Sequence, residues 1–137
     1  RYIVADVINK QMSASDVRKT IKHTAQTDRA LYKRVRIHLP QDPGQAGKEQ
    51  ARSYVKFLSG FDVTAVLESG SKESRAEPMA AQWQAGNFDI VIGDWNEMFL
   101  TQLENFPDGK FKDMVDAAAN GFAEIEIWSA FDVGNLI

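Results

Sequence analysis

Apolar and polar residues alternate from Val35 through Arg36, Ile37 and His38 to Leu39, the two-residue period of a strand with one buried face. Pro43 and Gly44 stop that strand, because proline brings no N–H to a ladder and Pro-Gly favours a tight turn. Asp42 is thereby presented just past the carboxyl end of a strand over 35–40, where open α/β folds place their chemistry. Turns also favour aspartate for its own sake, so this stretch alone leaves both readings open.

The same patterning predicts the other elements. Residues 1–8 are rich in β-branched side chains and read as a strand. Ser13 and Asp16 resemble a capping box, and Val17, Ile21 and Ala25 recur at helical spacing, predicting a helix through about residue 27. Arg18, Lys19, Lys22 and His23 fall on its other faces, the pattern of an ordinary solvated surface more than of a DNA track. A second helix is predicted over 46–59, with Ala51, Val55 and Leu58 inward and Gly60 suited to a left-handed stop. A strand over 61–67 follows, and strand, helix and strand with short links make a βαβ unit whose strands run parallel.

Beyond it, 68–75 reads as a polar loop, and Pro78 is placed in the first turn of a helix ending near Gly86. A short strand over 88–92 and a helix over 95–105, with Met98, Phe99 and Leu103 inward, come next. Pro107, Asp108 and Gly109 turn the chain into a last helix over 112–127; residues 129–137 carry no assignment. On that helix Val115, Ala118, Ala119, Phe122 and Ile125 share one face, opposite Asp113, Asp116, Ala117 and Asn120. Asp113 and Asp116 can therefore reach a common partner, although acids in a first turn also suit the helix dipole.

Composition narrows the classes of function. A chain of 137 residues, 44% apolar and 26% charged, reads as one soluble globular domain with a core of its own. The absence of cysteine excludes disulfides, thiolate metal sites and cysteine nucleophiles. The two histidines, His23 and His38, lack ligand spacing. A net charge of −3 gives no global attraction to nucleic acid, so DNA contact requires a local basic patch. Lys72 and Arg75, in the polar stretch, are candidates for a phosphate backbone or simply solvated cations. Gly44-Gln-Ala-Gly47-Lys48 superficially resembles a phosphate loop but lacks its spacing and has Glu49 where Ser or Thr is needed. No apolar run approaches the ~18 residues of a membrane span, so no membrane partner is expected. Arg1 stands directly inside a strand pattern without an initiator Met, which reads as a piece of a longer chain.

Five blocks occur in order: Asp42-Pro-Gly-Gln-Ala-Gly-Lys48; Gly70-Ser-Lys-Glu-Ser-Arg-Ala76; Ala85-Gly-Asn87; Trp95-Asn with Phe99-Leu100; and Phe106-Pro-Asp-Gly-Lys110 leading into Asp113-Met-Val-Asp-Ala117. Together they resemble the carboxyl-terminal nuclease domain of the large terminase subunit of tailed bacteriophages, over about residues 1–126, leaving 127–137 as a tail. The resemblance implies an RNase H-like mixed sheet flanked by helices, and a metal-dependent endonuclease that cuts concatemeric double-stranded phage DNA. It implies catalytic carboxylates at Asp42 and Asp113, with Asp42, Asp113 and Asp116 holding Mg²⁺ or Mn²⁺ in a two-metal site, and Lys72 and Arg75 on the DNA. A domain of this family that serves as an inactive DNA-docking or motor-interaction module is the alternative.

The implied partners are an amino-terminal ATPase domain of the same protein, a terminase small subunit and a portal, in a host cytoplasm. In the family pattern a His and an Asp precede the last block. Phe111 and Lys112 stand there instead, removing two ligands and adding a cation. The resemblance further implies that the first two core strands of the sheet, with the first catalytic carboxylate, precede Arg1. This sequence alone is then expected to be inactive. Its 1–8 strand would pair directly with the 35–40 strand, or a second copy would complete the sheet as a homo-oligomer.

Overall fold

In the computed structural model, which describes residues 1–68 and 70–136 with 128–136 as backbone alone, four strands alternate with five helices. Their order is β1 (Tyr2–Val4), α1 (Ala14–Tyr32), β2 (Arg36–Gln41), α2 (Gln45–Phe57), β3 (Asp62–Leu67), α3 (Lys72–Gln84), β4 (Phe88–Ile90), α4 (Asn96–Asn105) and α5 (Asp113–Leu136). The chain divides into two compact units. Lys10–Glu68 forms one, and Arg1–Asn9 together with Ser69–Ile137 forms the other.

The Lys10–Glu68 unit contains the expected βαβ arrangement. β2 and β3 pair in parallel from Arg36↔Asp62 to Gln41↔Leu67, and the first pair is tied by an ion pair of 3.0 Å between the Arg36 guanidinium and Asp62. Pro40 is tolerated because β2 is an edge of a two-stranded ladder. Ser13 caps α1 as its spacing predicts, its hydroxyl accepting from the Asp16 N–H at 3.2 Å. The helix runs past residue 27 to Tyr32, since nothing in Asp28–Tyr32 breaks it; Lys33, at φ +68°, closes it instead.

The inward face of α2 differs from the predicted one. Gly47 and Leu58 are buried with Ala51 and Tyr54 beside them, whereas Val55 is 45% exposed. Positions 47, 51, 54 and 58 lie within one narrow stripe at about 100° per residue, and 55 lies outside its centre. The cations of α1 contribute to packing more than a solvated face would. Arg18 donates to the Ser53 hydroxyl at 2.9 Å and lies 4.5 Å from the Tyr54 ring centre, and Lys22 lies 4.8 Å from that of Phe57.

In the other unit β1 pairs in parallel with β4, Tyr2↔Phe88 to Val4↔Ile90, so the direct pairing of β1 with β2 is not adopted. Both strands are shorter than their apolar runs predict. Asn96 ends β4 by accepting from the Gly93 N–H and donating to the Val91 carbonyl, and Ile92 is left 95% exposed. Arg1 forks onto Asp89 with bonds of 2.5 and 2.8 Å, and these hydrogen bonds hold the Asp89 carboxyl below the usual carboxylate range.

The core of this unit is Ala76, Met79, Val115, Ala119 and Phe122, with Trp83 stacked on Phe88 at 4.6 Å. Met98 and Ile125, predicted inward, are 56% and 48% exposed; Phe99 is buried as predicted, and Met114 takes a buried place that was not. The 68–75 stretch is also not a loop throughout. Gly70, at φ +74°, turns the chain, and the Ser71 hydroxyl accepts from the Ser74 N–H at 3.1 Å, so α3 starts at Lys72. Pro78 accordingly sits in the second turn of α3 rather than the first. The last helix continues past residue 127 to Leu136.

Candidate functional site

Asp42 follows directly on Gln41, the last residue of β2, with its residue exposed. Two glycines shape the corner that carries it. Gly44, the residue before α2, has φ +91° and ψ −179°, a conformation essentially restricted to glycine. Gly47, in the first turn of α2, meets the Asp42 backbone edge-on. A Cβ added there would lie 1.9 Å from the Asp42 carbonyl oxygen and 2.6 Å from its carbonyl carbon. The helix thus abuts the backbone of the very residue that presents the carboxylate, which explains the second glycine of the Asp42–Lys48 block. Reading that block against phosphate loops alone misses this packing role.

Asp113 and Asp116 open α5 as the periodicity predicts, Asp113 on an exposed residue and Asp116 half-buried. The start of α5 is fixed from α4. Gln102 is 6% exposed, and its amide oxygen accepts from the Met114 N–H at 3.0 Å, satisfying a donor that a helix start leaves open. A glutamine within an apolar helical stripe carries no signal of this in the sequence. Gln102→Leu keeps the bulk and removes the acceptor. It is expected to cost about 1–3 kcal/mol, the penalty of an unsatisfied buried donor, measured by urea denaturation.

Lys72, the first residue of α3, places its Nζ 2.7 Å from Asp116 Oδ2. The structure therefore joins a residue expected on DNA to one expected on metal. A carboxylate has two oxygens and about four lone-pair sites, so Asp116 keeps capacity for a second partner. Arg75 donates to the Gly70 carbonyl at 2.9 Å and so braces the turn before α3. Phe111 is 61% exposed, with the Lys110 ammonium 5.3 Å from its ring centre.

Asp42 belongs to the Lys10–Glu68 unit, and Asp113, Asp116, Lys72 and Arg75 to the other. Among the described residues no three His, Asp or Glu side chains are gathered as a ligand group. The donors present are nonetheless hard oxygens. They fit Mg²⁺ or Mn²⁺ in one respect that matters, since Mg²⁺ commonly takes one or two carboxylates and completes its shell with waters and substrate phosphates.

Parallel ladders with flanking helices make this an α/β chain, with carboxylates at a strand end and at a helix start. The model of one family, described as the Terminase RNaseH-like domain, matches residues 1–124 and so spans both units. The chain belongs to that family. Neither the curated proteins nor the solved structures contain a match to it. Among the described residues no helix is long and apolar enough to cross a membrane.

Proposed function

We propose that this chain is the nuclease module of a DNA-packaging terminase, cutting concatemeric double-stranded DNA with Mg²⁺ or Mn²⁺. The observation that carries the reading is the family match over residues 1–124. The exposed Asp42 and the acidic start of α5 lend it chemistry. Asp42, Asp113 and Asp116 are the residues that would hold the metal, and bound there it would polarise a phosphoryl oxygen and ready a water.

The chain's own contributions are positional. Gly47 lets α2 support the Asp42 corner, and Gln102 fixes the first turn of α5. Lys72 neutralises Asp116, so less like-charge repulsion opposes a second carboxylate or a phosphate nearby. Lys72 and Arg75 remain the proposed contacts to the DNA backbone. An ATPase motor domain in the same protein, a small subunit and a portal are the partners this role requires, in the cytoplasm of an infected host.

A nuclease-like domain without activity is the second reading. Lys112 in place of an acid and the Lys72–Asp116 pair favour it. Nicking of supercoiled plasmid by the whole protein that carries this chain separates the two. Cutting that requires Mn²⁺ or Mg²⁺ and stops with a chelator supports the nuclease, and DNA binding with no cutting in either metal supports the docking module.

A further inference from the structure

We propose that Lys48, Arg52 and Lys56 of α2 form a track for the phosphate backbone of the DNA strand that leads to Asp42. The inference rests on the DNA-cutting reading and assigns it a surface that the sequence blocks leave open. The three cations recur every fourth residue, so they lie on one side of the helix and span about 12 Å along its axis. One strand of duplex DNA advances about 3.4 Å per phosphate, so that span faces roughly three or four phosphates. With Gln41, Ala51 and Val55 they line a groove of about 370 Å³. Gln41, which lines the groove, immediately precedes Asp42 in the chain.

Three observations separate this face from an ordinary solvated one. First, Arg18, Lys22 and Arg29 of α1 are engaged with aromatic rings, while none of the hydrogen bonds, ion pairs or ring contacts among the described residues uses the side chain of Lys48, Arg52 or Lys56. Second, α2 has no acid in its first turn and no side-chain cap, yet Lys48 stands at its beginning, against the preference of the helix dipole. A local rule broken without structural compensation is expected where function requires it. Third, the three cations stand on one side of α2 on a chain whose net charge is −3. The one carboxylate of α2, Glu49, is hydrogen-bonded to Gln45 at 3.4 Å.

The test is the salt dependence of binding to a short DNA duplex, with the full chain and no divalent metal so that cutting does not intrude. Lys48→Gln/Arg52→Gln/Lys56→Gln is compared with Lys10→Gln/Lys19→Gln/Lys33→Gln, which removes the same charge outside the groove. The track variant is expected to lose about two to three units of the slope of log K against log salt, near one per phosphate contact. The control keeps the wild-type slope, and so does Lys48→Arg/Lys56→Arg. An unchanged slope in the track variant, or an equal loss in the control, overturns the inference. Metal-dependent cutting by wild type is read separately. Cutting with an unaltered track slope leaves the nuclease standing and removes the track; a lowered slope without cutting does the reverse.

Discussion

Gly47→Ala is expected to destabilise the chain by about 1–3 kcal/mol or more and to weaken any activity that uses Asp42. The new methyl would start 1.9 Å from the Asp42 carbonyl oxygen, and its obstacle is backbone, which cannot rotate away as a side-chain end can. Relief requires α2 to move from the end of β2, which displaces the presented carboxylate. The same substitution at Gly121 has the opposite expected sign. That glycine lies inside α5 with nothing within 4 Å of an added Cβ, so alanine is expected to stabilise by about 0.5–1 kcal/mol through helix propensity. Paired thermal melts of the two variants check both. Equal behaviour would mean that α2 does not abut the Asp42 corner.

The second large effect concerns catalysis in the full chain. Asp42→Asn and Asp113→Asn are each expected to lower metal-dependent DNA cutting by on the order of a thousandfold, because under the proposed function each removes a charge that would hold the metal. Metal stabilisation of a phosphoryl transfer is worth several kcal/mol, and each 1.36 kcal/mol is about tenfold in rate. Asp116→Asn is expected to cost less, since Lys72 already neutralises Asp116 at 2.7 Å. Lys72→Gln tests that relation. If the two residues act through their ion pair, the double variant is no worse than the poorer single one; independent roles give additive losses.

Legibility of the fold tracked how local the determining physics is. The strand ending at Asp42, the Ser13 cap and the parallel β2–β3 pairing follow from short-range rules of period, capping and linker length, and all three are found. Glycine and serine around Lys72 suggest a loop, although Ser71 followed by Ser74 is itself a cap. Inward positions were harder. Val55, Met98 and Ile125 have apolar side chains at helical spacing, but which stripe is buried depends on the neighbour's position, which a single helix does not encode.

The candidate site is legible as residue types and not as contacts. Asp42, Asp113 and Asp116 stand out because carboxylates at strand ends and helix starts carry recognisable chemistry. Gly47 against the Asp42 backbone, Gln102 on the Met114 amide and Lys72 on Asp116 join residues through space, and no spacing in the chain announces them.

The proposal that matters most for the chemistry is that Asp42 and Asp113 are each metal ligands. Thermal melts over a Mn²⁺ titration test it most directly. Mass action predicts about 1.4 kcal/mol of added stability at ten times the dissociation constant, seen as a rise in melting temperature. The account predicts that rise in wild type and its loss in both Asp42→Asn and Asp113→Asn. A wild type indifferent to Mn²⁺, or a rise that survives either substitution, would contradict it.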